Sequence, residues 1–269
     1  MDAVTWVAAA VSLASAVATV VLGALFEQRR QRGVREEARR DTVGRYAEPL
    51  LQAATALRTR LAHAVERDLG GRLDRPAEGA ANRYRHQRDV DYYLYDTLYR
   101  IGCYLGWSRV LHQEPRYLDV GSREHNRELM RLLGAVSAAI TAETEDWTFQ
   151  LWTGETWVLG DLMIDPHTSP GDPNRVISAL RFHHEIRENP DFGRWFAPLI
   201  EDFGRFAADR NAGRLRLIQI HNALGELISF LDPYGSDTRS SFEPLPLDDP
   251  SPDTPPTSGE ARGVGEPSQ

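Results

Sequence analysis

The sequence predicts a mainly all-α membrane protein. One transmembrane helix over residues 3–26 leads through a basic stalk (27–45) to a cytoplasmic bundle of about five or six helices (46–232), with a disordered tail over 233–269. Three observations carry this expectation. The stretch from Ala3 to Phe26 holds no charged residue. Beyond it, apolar residues recur at three- and four-residue steps in one segment after another, the period of an amphipathic helix. From Pro233 onward Pro, Ser, Gly, Thr and acids prevail, and Phe242, Leu245 and Leu247 are almost the only large apolar side chains. Such a composition cannot bury enough surface to offset chain entropy.

The apolar stretch of about 24 residues spans about 36 Å as a helix, enough to cross a hydrocarbon core of about 30 Å with some tilt. A signal peptide has a basic start, a shorter apolar core and a small-x-small cleavage site. Here Met1-Asp2 precedes the span and Arg29, Arg30, Arg32, Arg35, Arg39 and Arg40 follow it, so an uncleaved anchor is expected. The positive-inside rule places the amino end outside the cell membrane and the bulk of the chain in the cytoplasm. Those arginines can also lie against anionic lipid headgroups. Within the span, Ser15, Thr19 and Gly23 form one row of small residues and Ala8, Ser12 and Ala16 a second. Either row lets a neighbouring helix approach closely, as in a homodimer, although an alanine-rich span makes such rows by chance.

In the bundle, Tyr46, Leu50, Ala53, Ala54, Leu57, Leu61, Ala64 and Val65 mark the first helix, with a kink or restart near Glu48 ahead of Pro49 and an end at Gly70-Gly71. Residues Arg72 to Arg88 read as a loop. Asp89 to His112 is the most apolar helix outside the membrane, carrying Tyr92, Tyr93, Tyr95, Tyr99 and Tyr104, and its aromatic residues are expected in the core. Ser122 is an N-cap candidate for a helix bearing Leu129, Leu132, Leu133, Val136 and Ile140. Asp146 to Asp161 reads as a short extended piece, then a short helix capped by Thr153. Asp165 to Pro173 is a loop, and Val176 to Ile186 fits either a strand or a short helix. Asn189-Pro190 starts a helix carrying Phe192, Trp195, Phe196, Leu199, Ile200, Phe203 and Phe206. Gly213 separates it from a last helix with Leu217, Ile218, His221, Leu224, Ile228 and Leu231, and these two are expected to pair antiparallel.

Composition removes several chemistries. The net charge of −8 gives no attraction to nucleic acid, and none is expected as a partner. All 31 basic residues are arginine, so there is no lysine for a Schiff base or a P-loop. The single Cys103 excludes an internal disulfide and a C-x-x-C site, and its helix position makes it a buried, inert thiol. Nucleophile-elbow, Walker and dinucleotide patterns are absent. The one histidine pair, His183-His184, falls short of a zinc-protease pattern because Glu188 stands where the second ligand belongs. His184, Glu185 and Glu188 are the only metal candidates, and no metal or cofactor is expected. His221 reads as a satisfied core histidine. In the tail, Ser251-Pro252 and Thr254-Pro255 fit a proline-directed kinase.

Several spaced blocks share landmarks with known proteins: Tyr46-Ala47-Glu48-Pro49-Leu50-Leu51-Gln52-Ala53-Ala54, Tyr104-Leu105-Gly106-Trp107, Tyr117-Leu118-Asp119 and Ile228-Ser229-Phe230-Leu231-Asp232-Pro233. Over roughly Tyr46 to Pro233 the chain resembles a family of uncharacterised, mostly actinobacterial proteins. The resemblance implies no activity. Two functional readings follow from the sequence. The first is a membrane-tethered, non-enzymatic interaction module that binds a protein partner. The second is a membrane-bound enzyme or small-ligand sensor, with a pocket lined by Tyr92, Tyr99, Trp107 or Trp157 and polar groups from His183, His184 or Glu185. A pocket joining those two regions would favour the second.

Overall fold

The computed structural model describes residues 46–66, 80–113, 123–169, 172, 175–233, 235 and 243–247, with the backbone alone for 80–90 and 123. The described residues form seven helices and no strand longer than a single bridge. They are α1 (46–66), α2 (Ala80–Gln113), α3 (Arg123–Thr141), α4 (Thr153–Met163), α5 (Ala179–Glu188), α6 (Pro190–Ala208) and α7 (Arg214–Leu231). The expected all-α class holds. No helix among the described residues is long and apolar enough to cross a membrane. The span Ala3–Phe26, its row Ser15, Thr19 and Gly23, and the flanking Arg29, Arg30, Arg32 and Arg35 lie outside the described residues.

Helix α1 is helical on both sides of Pro49 and buries the expected stripe, with Leu50, Ala54, Leu57, Leu61 and Ala64 almost fully enclosed. Many of the landmark residues quoted above, such as Leu50, Ala54, Tyr104 and Ile228, are core residues. Helix α2 starts at Ala80, within the segment expected to be a loop. An apolar stripe is what periodicity detects, whereas Ala, Arg and Gln extend an existing helix cheaply without one.

Close packing joins α2 to α4 through glycines. A Cβ on Gly160 would stand 2.8 Å from the Leu105 carbonyl oxygen, and one on Gly106 would stand 2.9 Å from Cβ of Met163. Small residues at such a crossing let two backbones approach, and Arg109 and Gln113 of α2 then reach Asp161 of α4 at 2.8 and 3.0 Å. Helix α4 begins at Thr153, with Trp152 in the cap position expected of Thr153. The Glu155 carboxylate accepts the Trp152 N–H at 2.8 Å, which satisfies a donor that opens the helix.

Val176 resolves its ambiguity by serving both expectations. It forms an antiparallel bridge with Ile164, and two residues later Ser178 caps α5. Asn189 caps α6 by accepting from the N–H groups of Asp191 and Phe192, with Pro190 in the first turn as expected. Phe182 of α5 meets Phe192 and Phe196 of α6 at ring separations of 5.7 and 5.1 Å.

The last two helices do not form the expected pair. Helix α7 packs on α3, and α6 packs on α5, α2 and α4. The reason lies in the breadth of α7's buried surface: Arg216, Leu217, Ile218, Ile220, His221, Leu224, Leu227 and Ile228 are all buried. A helix enclosed on several faces has no single stripe with which to choose its sequence neighbour. Of the tail, residues 243–247 are described, and Leu245 packs against the core.

Candidate functional site

The segment from Ala142 to Trp152 links α3 to α4 without regular structure, so its backbone polar groups need partners from elsewhere. A buried arginine supplies them. Arg216, only 3% exposed, donates to the carbonyls of Ala142 (2.8 Å), Thr148 (3.1 Å), Asp146 (3.2 Å), Ile140 (3.3 Å) and Ala139 (3.4 Å), and to the Thr144 hydroxyl (2.8 Å). One side chain thereby closes the C-terminal turn of α3 and gathers the loop behind it. Burial lowers the Arg216 pKa, which the nearby Asp146 and Asp202 carboxylates oppose.

Two carboxylates complete the node. Asp146 accepts the N–H groups of Thr148 and Gly213. Burial pushes its carboxyl up, but those hydrogen bonds and Arg216 outweigh burial and hold it below the usual range. Asp202 of α6, 4% exposed, accepts the Phe149 N–H at 2.8 Å and the Arg205 guanidinium at 3.1 Å. Burial there wins, and the Asp202 carboxyl is raised. Phe149 has φ 60, the left-handed region that a bulky L-residue rarely adopts. Its ring sits 4.8 Å from Phe203 and 5.9 Å from Phe206, so core packing holds the strained backbone. Gly213, with φ 70, leaves the room this ring needs, since a Cβ there would lie 2.5 Å from Phe149. Strain of about 1–3 kcal/mol persists only where the surroundings over-determine it, and it concentrates at binding sites.

This pinned segment and the start of α4 present Trp147, Trp152 and Trp157 at 58%, 59% and 58% exposure. Two of the three are backed by an arginine that an aspartate holds. Arg205, paired with Asp202, lies 3.8 Å from the Trp147 ring centre. Arg109, paired with Asp161, lies 5.4 Å from that of Trp157. Trp157 also rims a cleft of about 270 Å³ between α2, α3 and α4. Tyr104 and Leu133 line it, with Arg109 and His112 on the α2 side. His112 Nδ1 donates to the Ser108 carbonyl at 2.7 Å.

The sequence-selected residues are dispersed. Tyr92 is 58% exposed, and Tyr99 and Trp107 line a separate cavity of about 420 Å³ between α1 and α2. In that cavity Asp96 is paired to both Arg100 and Arg60. Burial pushes the Cys103 thiol there up to about 11, so it is not a ready nucleophile. His183 rests edge-on against Tyr95, His184 is exposed, and Glu185 accepts from Asn189. None of His183, His184 and Glu185 lines either of these two cavities. Among the described residues no group of three or more His, Cys, Asp or Glu can hold a metal ion, and His184, Glu185 and Glu188 therefore do not make such a site. His221 is buried, with its Nδ1 3.0 Å from Asn222 Oδ1, and burial lowers its pKa. Comparison with protein-family models, with curated proteins and with solved structures found no match to the chain.

Sequence reasoning missed Arg216, Asp146, Asp202 and Phe149. One signal was available: Arg216 stands between Leu215 and Leu217 on a helix whose other buried positions, His221 aside, are apolar. Nothing in the sequence marks Phe149 for a positive φ.

Proposed function

We propose that the protein is a membrane-tethered interaction module whose helical cytoplasmic domain docks a protein partner through the tryptophans of the 147–157 segment. The supporting observation is the display of Trp147, Trp152 and Trp157 beside a strained Phe149 that Asp202 and the Phe203 and Phe206 rings hold in place. Tryptophan and arginine are the side chains that most often carry binding energy at interfaces. Holding them in place before contact reduces the entropy lost on docking. The cleft beside Trp157, about 270 Å³, falls below the roughly 300–1,000 Å³ of small-molecule pockets and suits one large side chain of a partner.

In this reading the uncharged span 3–26 anchors the chain in the cell membrane, and Arg29, Arg30, Arg32 and Arg35 rest on anionic headgroups. The Ser15, Thr19 and Gly23 row allows a homodimer within the bilayer. The blocks quoted from Tyr46 to Pro233 support kinship with the actinobacterial family they resemble.

The test is affinity purification of the full chain in mild detergent, with mass spectrometry of what accompanies it. A stoichiometric protein is expected, and Trp147→Ala, Trp152→Ala or Trp157→Ala lowers its recovery, by about 30-fold at a hot-spot position. A partner indifferent to all three substitutions, or recovery of a nucleotide or metal in its place, refutes the proposal. A reporter fused after Gln269 tests the placement separately, and activity outside the cell refutes it.

A further inference from the structure

A second binding surface lies on α7, away from the tryptophans and independent of their role. Residues Glu243-Pro244-Leu245-Pro246-Leu247 rest against α1 and α7 with no helical turn. Asn222 holds them by a paired contact. Its Nδ2 donates to the Leu245 carbonyl at 3.0 Å, and its Oδ1 accepts the Leu245 N–H at 2.9 Å. His221 Nδ1 lies 3.0 Å from the same Oδ1 and, as a donor, fixes which way the amide points. Arg58 of α1 donates to the Glu243 carbonyl at 3.2 Å, and the Leu245 side chain packs against the core.

This arrangement reads a particular backbone. A side-chain amide that satisfies both the N–H and the C=O of one residue recognises a chain segment whatever its side chains, as a sheet edge does. The prolines narrow the choice. Pro244 and Pro246 have no N–H, so Leu245 carries the one donor between them, and the seat offers it one acceptor. Each residue before a proline is pushed toward extended backbone, so the segment arrives close to its bound shape. Both prolines are exposed while Leu245 is half-buried, which makes the leucine the anchoring side chain.

We propose that the seat formed by Asn222, His221 and Arg58 is a binding site for an extended Pro-Leu-Pro segment of a partner protein. Residues 243–247 are its built-in occupant and compete with that partner. Tethered only a short stretch of chain after α7, the occupant acts at an effective concentration on the order of millimolar. A free segment therefore binds only by displacing it.

The probe is a fluorescent peptide with the sequence of residues 241–249, titrated into the full chain in detergent and followed by anisotropy. Leu245→Asp, or the milder Leu245→Ser, empties the seat and is expected to tighten peptide binding about tenfold or more relative to the unsubstituted chain. On the Leu245→Asp background, Asn222→Ala and the near-isosteric Asn222→Asp each weaken binding about tenfold or more, through loss of paired hydrogen bonds. A peptide carrying aspartate in place of its leucine does not bind. Absence of binding to both Leu245 variants, with circular dichroism and unfolding unchanged, overturns the proposal, and so does binding indifferent to Asn222. An unsubstituted chain that is dimeric and becomes monomeric on Leu245→Asp also overturns it, because the tail then serves a second copy.

Discussion

Replacing Arg216 by methionine tests whether one buried guanidinium organises the loop between α3 and α4. Methionine fills the space of the arginine stem but donates nothing. Of the acceptors left behind, the carbonyls of Ile140 and Thr148 are buried at their bonds with Arg216, whereas those of Ala139, Ala142 and Asp146 are partly exposed. The Ile140 carbonyl keeps the Leu151 N–H at 3.3 Å, water can serve the three partly exposed carbonyls, and the buried Thr148 carbonyl left behind costs about 1–3 kcal/mol. Asp146 also loses the positive charge that helps to keep it ionised. The expected loss is about 3 kcal/mol, the upper end for one abandoned buried acceptor together with the weakened support of Asp146. For a domain of this size that lowers the Tm by about 6–12 °C. Urea titration followed by tryptophan fluorescence and by far-UV circular dichroism measures it. Fluorescence should change first, since three of the chain's 6 tryptophans sit on or beside the loop. Arg131→Met, which breaks only the surface pair with Glu128, is the control and should leave the midpoint unchanged. A loss below about 1 kcal/mol for Arg216→Met refutes the reasoning, because buried carbonyls cannot be abandoned so cheaply.

Three further outcomes follow from the packing and the titrating groups. Gly160→Ala drives a methyl to 2.8 Å from the Leu105 carbonyl oxygen and should cost about 1–3 kcal/mol. Gly134→Ala meets nothing within 4 Å and should gain up to about 1 kcal/mol in the same denaturation assay; equal losses at both sites would contradict the close α2–α4 crossing. His221 has a native pKa below its ordinary 6.5, so the unfolded chain takes up the proton first. Stability should therefore fall as pH drops below about 6.5, with a shallower fall in His221→Gln. Asp202 has the opposite sign. Its native pKa is raised above 3.8, the native state holds the proton longer, and stability declines as pH rises through that window. Asp202→Asn keeps an acceptor for the Phe149 N–H and should remove this slope; an unchanged slope would exclude Asp202 as its source.

Much of the bundle was legible because burial imposes periodicity. The stripe of α1, the Asn189-Pro190 start of α6 and the Gly213 break all stand where pattern and cap chemistry place them. The start of α2 was not legible, because Ala80 and the polar residues after it extend a helix without an apolar stripe. The partner of α7 was hidden for a related reason, since a helix buried on several faces does not announce which neighbour it prefers. The candidate surfaces were the least legible. The pattern of residues 146–161 gives a short extended piece and a short helix but not which side chains face outward. Trp147, Trp152 and Trp157 are each more than half exposed, and hydrogen bonds with Arg216, Asp146 and Asp202 fix the loop that carries two of them. Those bonds join residues as much as about seventy positions apart, beyond any local pattern. Asn222 gave no sign that it would meet Leu245, because the tail's composition describes what it cannot do alone and not what it does against α7.

Helix α7 carries Arg216 near its start and Asn222 six residues on, which separates the two by about 9 Å along the axis and about 240° around it. Both surfaces thus take their bearings from one rod. Inserting or deleting a single residue between them turns one against the other by about 100°, and no neighbouring side chain can absorb that. Lengthening the connection from Asp232 to Glu243 is far milder, because the entropy of closing a loop grows only with the logarithm of its length. Among related chains, the segment from Arg216 to Asn222 should therefore vary in residue type and never in residue number, while the connection to the tail carries the insertions.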